Sequence, residues 1–351
     1  MRNLTKTRLN EILTRCPAHH IGVIGDLGLD AYWYADMTRS FLSRETPRFA
    51  RPVVREVYAP GAGANVADNL KALGVGHVTV FSVLGDDWRG ALLRRVMAER
   101  GIDTAHLVVT PERFTTTYIK PMLTGYDSQQ EDARLDFENA NPLTPTLEDA
   151  LLTALERQLP SLDALLVADQ LEVNGIVTGR VRDALNAMAR AHPDKFFLVD
   201  SRLRIGQYEH MVLKPNWVEA IAAVDPGRDP RSVPRAALAD VAARLNARTG
   251  RPVFVTLSED GVLAYADGEA RHLPAGPTRP PLDPVGAGDT FIAALAGALT
   301  AGATPWEAGA LANLAAAVTV EKLNQTGTAS PEEILARHKL ATNATENLPA
   351  N

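Results

Sequence analysis

Cysteine is almost missing from this chain: Cys16 stands alone among 351 residues. A single thiol builds no intrachain disulfide framework and no thiolate zinc cage, which suits a reducing cytoplasm. Histidine is present eight times, but only His19 and His20 are adjacent, and no H-E-x-x-H or His-x3-His spacing puts two imidazoles on one helix face. Positive charge is not in excess either. With 36 Lys+Arg against 42 Asp+Glu the net charge is −6, and no basic stripe offers the phosphate neutralisation that nucleic-acid binding needs. Long apolar runs are also absent. The longest candidate, residues 291–303, is alanine-rich, broken by Gly297 and Gly302, and short of the ~18 residues of a membrane span. Residues 1–18 read as a polar amphipathic helix carrying Leu9, Ile12 and Leu13 rather than as a secretion leader. What remains, 46% apolar and 22% charged residues, is the balance of an ordinary globular chain with a sizeable core and a small-molecule partner.

From Ile21 onward short β-branched runs alternate with segments of helical period, the pattern of parallel strands joined by crossover helices. Strands are expected at 21–24, 78–83, 164–168 and 196–199. Helices are expected at 64–73 and 90–100, each stopped by a glycine (Gly74, Gly101), and around Leu238, Val241 and Leu245 between Pro234 and Gly250. Residues 253–257 and 262–266 flank a turn, and beyond Asp283 the chain is helical almost to His338. Two segments, 32–58 and 115–137, mix Thr, Tyr, Val and Arg without helical period and read as a small separate sheet. The expected fold class is therefore α/β: a doubly wound, mostly parallel sheet flanked by helices, with a small β-sheet lid. The expected organisation is an N-terminal helical extension (1–20), one main domain (21–340) carrying both lid insertions, and a flexible tail (341–351).

The strongest motif is Asp283-Pro-Val-Gly-Ala-Gly-Asp-Thr-Phe291, followed at once by a helical run. Gly286 and Gly288 permit a tight turn, so the N–H groups of Gly286, Ala287 and Gly288 can converge as an anion hole at a helix N-terminus. Asp289 falls in the first helical turn. A carboxylate beside a bound phosphate needs a task, and accepting a hydroxyl proton during phosphoryl transfer is one; capping the helix is the bland alternative. A second cluster, Pro60-Gly-Ala-Gly-Ala-Asn-Val-Ala67, opens a helix. Val66 stands where a dinucleotide fingerprint wants Gly or Ala, and Pro60 interrupts the preceding strand, so nicotinamide binding is disfavoured. Asn65 suits a sugar hydroxyl or a helix cap.

Asp26 and Asp30 follow the first strand, at the carboxyl end where open α/β sheets bind ligands; they suit a polyol, a metal or a turn. Thr256, Ser258 and Gly261 form a strand-to-turn unit that lines a phosphate channel or makes an ordinary hairpin. Asn216 and Glu219 are spaced to hold hydrated Mg²⁺, and equally to form a capping box.

Taken in order, these motifs resemble the ribokinase or PfkB-type carbohydrate kinases over about residues 21–333. The stretch Gly25-Asp-Leu-Gly-Leu-Asp-Ala-Tyr-Trp-Tyr34, the Pro60-Gly61 start of the glycine cluster, Arg134-Leu-Asp-Phe137, and the segment from Asn313 through Lys322-Leu to Gly327-Thr-Ala-Ser-Pro331 look most like the heptose-7-phosphate kinase domain of ADP-heptose synthesis. The resemblance implies an ATP-dependent sugar kinase acting on a hydroxyl of a sugar or sugar phosphate. Asp289 is then the catalytic base, with Gly286, Ala287 and Gly288 its anion hole. Asp26, Asp30, Gly61, Asn65 and Arg134 form the sugar side. Thr256, Ser258, Gly261, Asn216, Glu219, Asn313, Val320 and Leu323 serve ATP, with Asn216 and Glu219 reaching Mg²⁺ through water and a monovalent cation as a further candidate cofactor.

Three positions depart from the family pattern. Ser258 stands for a glycine, Ala62 and Gly63 are exchanged relative to the usual Gly-Gly-Ala order, and Val167-Ala-Asp-Gln-Leu-Glu172 replaces a Ser-Asp-Tyr motif. Rival readings are a ribokinase or phosphofructokinase activity, and a non-catalytic sugar or nucleotide sensor of the same fold. Two expectations accompany the main reading: a homodimer through the lid, because a small isolated sheet is marginal in water, and an anionic sugar met by Arg39, Arg44, Lys120, Arg134 and Arg202.

Overall fold

The computed structural model describes residues 4–323 and 325–346. Its centre is an eight-stranded sheet in the order Glu269–Leu273, Val262–Ala266, Val253–Thr256, Val212–Leu213, Phe196–Ser201, Ala164–Asp169, His20–Gly25 and His77–Phe81. Pairing is parallel throughout except at the two edge strands nearest Glu269, which are antiparallel. Strands such as Ala164–Asp169 are buried along their whole length, so alternate residues feed two cores, one on each face. Val23, Leu166, Leu198 and Phe254 belong to one; Ile24, Leu165, Val199 and Val255 belong to the other.

Helices cover both faces. Gly63–Ala72, Trp88–Glu99, Ala287–Thr300 and Pro305–Thr319 pack on the first core. Pro145–Gln158, Gly179–Ala191, Trp217–Val224 and Leu238–Thr249 pack on the second. Gly250 ends the last of these in the left-handed conformation, as its position beyond the apolar repeat predicts. The helix Lys6–Arg15 is no appendage, since Leu9, Ile12 and Leu13 are buried in the first core. Gly297 has a packing role: a Cβ there would lie 2.5 Å from Leu73 Cδ2, so the helices Gly63–Ala72 and Ala287–Thr300 touch at van der Waals distance. The final helix, Pro331–Glu346, passes the expected start of the tail at 341 without a break; residues 347–351 lie outside the described residues.

The lid is real and larger than expected. Leu27–Asp36 pairs antiparallel with Val53–Ala62 and parallel with Thr117–Gly125, which in turn pairs with Ser128–Glu131 and Leu135–Phe137. Its first strand starts one residue after Asp26, because residues 27–32 are apolar enough to be buried on both faces. Pro60 does not interrupt its strand. It pairs opposite Leu29 on an edge strand, where a missing N–H costs no ladder bond.

Candidate active site

The helix Ala287–Thr300 starts after Gly286, which takes φ 79° with no side-chain cap. Its first-turn amides therefore lack both intrahelical and capping partners. Ala287 N–H turns back to the Pro284 carbonyl at 3.2 Å, which removes one of the three expected anion donors and leaves Gly286 and Gly288. Asp289 follows, half-buried where it faces a cleft, and desolvation pushes its carboxyl up to about 6.

Two amides hold that carboxylate. Asn65 Nδ2 donates to Oδ2 at 2.8 Å and Gln170 Nε2 donates to Oδ1 at 3.0 Å. Asn65 is thus neither a cap nor a free sugar ligand: its own Oδ1 accepts from Asn69 Nδ2 at 3.2 Å, and Asn69 Oδ1 accepts from Thr290 Oγ1 at 2.7 Å. The N-terminal turns of two helices are laced together by these bonds.

A polar cleft of about 220 Å³ opens over Asp289, lined by Gln170, Asp200, Arg202, Lys214, Glu219 and the Gly286–Gly288 turn. Lys214 Nζ lies 3.2 Å from Asp200 Oδ2. Burial alone would discharge this lysine, but Asp200 and Glu219 outweigh it and carry its pKa above the usual value, so a fixed cation stands beside the helix N-terminus. A larger cleft of about 480 Å³ adjoins, lined by Thr256, Ser258, Gly261, Asn313 and Val320 among others. Gly288 lines both clefts, and Ala287 lines the larger one. Gly261 takes φ 90°, where a Cβ would strike the Leu273 carbonyl. Ser258 also has positive φ, 55°, and Ala62 has φ 50° with ψ −134°. The two small-for-small departures from the family pattern therefore fall where glycine is the unstrained residue.

Several expected ligand contacts are engaged elsewhere. Asp26 is fully buried and accepts three backbone N–H bonds, from Gln170 (2.9 Å), Leu171 (2.8 Å) and Ile176 (2.6 Å). Desolvation raises it to about 6. It anchors a loop. Asp30 accepts from Lys120 Nζ at 3.0 Å, and Lys120 also donates to Tyr32 Oη at 3.2 Å. Gly61 makes room for that pair, since a Cβ would stand 2.8 Å from Asp30 Oδ1. Arg134 makes a two-point contact with Asp136 at 2.7 Å and stacks 5.0 Å over Tyr118. Asn216 and Glu219 form the capping box of Trp217–Val224, with Asn216 N–H on Glu219 Oε2 at 2.7 Å and Glu219 N–H on Asn216 Oδ1 at 2.9 Å. Glu219 still lines the polar cleft, whereas Asn216 does not. Leu323 is partly exposed and is not among the residues lining the larger cleft. The residues that spacing missed are Gln170, Asp200 and Lys214. Gln170 carried a signal as part of the mismatched 167–172 motif, and Lys214 as the start of the Lys214-Pro-Asn-Trp-Val-Glu219 segment, while Asp200 carried none.

A carboxyl with a raised pKa, free amides at a helix start and two clefts meeting there form a layout suited to moving a phosphoryl group between two ligands. A family model described as pfkB family carbohydrate kinase matches residues 31–333. The chain belongs to this family of carbohydrate kinases. It is 33% identical over 318 residues to the bifunctional protein HldE of Trichlorobacter lovleyi, covering 90% of this chain and 62% of that protein. It is 32% identical to the HldE of Geotalea uraniireducens over 95% of this chain and 66% of that one. The chain thus spans less than two thirds of these curated relatives.

Among solved structures, phosphofructokinase-2 from Escherichia coli superposes with TM-score 0.70 at 18% identity, covering 92% of this chain and 99% of that one. Arabidopsis thaliana ribokinase, solved with ribose and ATP, gives 0.64 at 17% identity with the same coverage. These likenesses establish the ribokinase-like fold. Among the described residues no helix is long and apolar enough to cross a membrane.

Proposed function

We propose that the protein transfers the γ-phosphoryl group of ATP to a hydroxyl of a sugar that already carries an anionic group, of the heptose 7-phosphate type. The observation that carries the reading is Gly288, which lines the polar and the larger cleft at once, one residue before Asp289. ATP occupies the larger cleft, its adenine toward Asn313, Ala316 and Val320. Its phosphates pass Thr256, Ser258 and Gly261 to the amides of Gly286 and Gly288 and to Lys214. The sugar hydroxyl meets Asp289, which takes up its proton. Arg202 lines the polar cleft, and its planar donors suit an anionic group on the sugar.

Glu219 is the protein's outer contact to Mg²⁺ through water, with Asn216 fixing its backbone. The donor set fits: Glu219 and Asp200 both line the polar cleft beside Gly288, and Mg²⁺ keeps several waters and binds through one or two carboxylates plus substrate phosphates. Bound there, the ion neutralises phosphate charge. A monovalent cation remains part of the reading as an activator. So does a homodimer through the lid, where Phe41, Leu42, Phe49 and Val54 are exposed apolar side chains.

ADP release from ATP over a panel of free and phosphorylated sugars tests the proposal. Turnover is expected to be highest with a phosphorylated heptose. Free sugars used with equal or higher kcat/KM would overturn the substrate assignment, and no sugar-stimulated ADP release at all would favour a sensor.

A further inference from the structure

Gln170 has no part in the reaction as read so far, yet it occupies a defined place. Its backbone N–H is bound by Asp26 Oδ2 at 2.9 Å, and its Nε2 reaches Asp289 Oδ1 at 3.0 Å. Asp26 also holds Leu171 and Ile176, so the whole 170–176 loop is laced to a carboxylate at the end of the first strand. Gly175 admits this close approach, because a Cβ there would lie 2.9 Å from Asp26 Oδ1. A glutamine side chain free in solvent samples many rotamers. Here both ends are tied.

We propose that Gln170 is a positioning residue for Asp289: delivered by the Asp26-anchored loop, its amide fixes the orientation of the Asp289 carboxylate and favours its ionised form. The proposal rests on Asp289 being the proton acceptor. A carboxylate has about four lone-pair sites; Asn65 and Gln170 take one on each oxygen and leave one on each for an incoming hydroxyl. The two amides fix the plane of the carboxylate, while the choice of oxygen is left to the substrate.

The ionised form is favoured because both amides donate, and donation to the charged form lowers a carboxyl pKa. Burial acts the other way and is the larger influence, with Asp200 adding to it and Lys214 opposing it. Arg202 and Glu219 complete the charged groups that line the cleft. Without Gln170, burial would be opposed by one amide and a lysine only.

The test is Gln170→Leu, which removes the donor at similar volume. One hydrogen bond to a charged group corresponds to about one pH unit or more. The acid limb of kcat/KM should therefore move to higher pH by about that much, with kcat about tenfold lower and the KM for ATP unchanged. A purely structural glutamine would instead lower Tm and leave the limb in place. The same shift is read without turnover by ¹³C NMR titration of the Asp289 carboxyl, its signal identified by loss in Asp289→Asn. An unmoved titration in Gln170→Leu overturns the proposal. A moved titration in a protein that phosphorylates no sugar leaves the coupling of Gln170 to the Asp289 carboxyl standing and removes the kinase reading on which its catalytic meaning rests.

Discussion

Asn65 and Asp289 are 224 residues apart in the chain, and the amide of one donates to the carboxylate of the other at 2.8 Å. Both lie in the first turn of a helix, Asn65 in Gly63–Ala72 and Asp289 in Ala287–Thr300. Two helix N-termini, each a positive dipole end, converge on one carboxylate.

Asp289→Asn removes the proton acceptor and keeps the shape. As the general base, its loss should lower kcat by about 10² to 10⁴, with the fold intact and the KM for ATP unchanged or lower. A steady-state assay checks this, and a kcat within a few-fold of wild type would leave Asp289 only its structural bonds to Asn65 and Gln170.

The same variant has a pH signature in stability. The folded-state value of about 6 lies above the usual 3.8, so the ionised carboxylate destabilises the native state above pH ~6, and this penalty fades as protons bind at lower pH. Between about pH 8 and about pH 4.5, wild type should gain about 2 kcal/mol relative to Asp289→Asn. Urea denaturation of both proteins at the two pH values measures it. A pH-independent difference would mean that the carboxyl titrates normally.

The capping box separates the two roles of its members. Asn216→Ala should cost about 1 kcal/mol of stability through the lost cap and leave the Mg²⁺ requirement alone. Glu219→Gln keeps an acceptor for Asn216 N–H but removes the charge facing the polar cleft, so the Mg²⁺ concentration for half-maximal activity should rise. Equal Mg²⁺ titrations for wild type and Glu219→Gln would remove the metal role.

Ala62 and Ser258 hold positive φ without being glycine. Ala62→Gly should relieve backbone strain and raise stability by about 1 kcal/mol; Ser258→Gly should gain less, because αL costs a polar residue less than the φ 50°, ψ −134° of Ala62 costs alanine. Denaturant midpoints report both. A loss of stability on Ala62→Gly would show that the alanine methyl is held by its packing.

The lid should mediate self-association. Phe41→Asp with Phe49→Asp places charge on two side chains that are 58% and 70% exposed, and light scattering should then show monomers where wild type is dimeric. A wild-type monomer, or a dimer indifferent to these changes, would rule the lid out.

The strands and helices were legible because β-branched runs of four or five residues and glycine stops report local geometry, as at 21–24 and at Gly74. The lid boundary was not, since Leu27 and Leu29 continue the apolar character of the first strand across the point where the chain leaves the sheet. The Gly286–Asp289 turn was legible from a contiguous motif, and of the residues expected on the ATP side Thr256, Ser258, Gly261, Asn313 and Val320 line the larger cleft whereas Asn216, Glu219 and Leu323 do not. The engagement of Asp26 by a loop, and of Asn65 and Gln170 by Asp289, was not, because these partners are 119 to 224 residues apart and no spacing encodes them. Ala62 looked interchangeable with glycine because side-chain size was visible in the sequence while φ was not.

Gly297 has no side chain to donate, accept or carry charge, yet it lets the helix ending at Leu73 come close to the helix of Asp289. Eight residues of helix separate it from that aspartate, about 12 Å along the axis. A methyl group at 297 would press on Leu73 Cδ2, the free end of a side chain, so the two helices would keep their spacing only as far as that leucine can turn aside within the core.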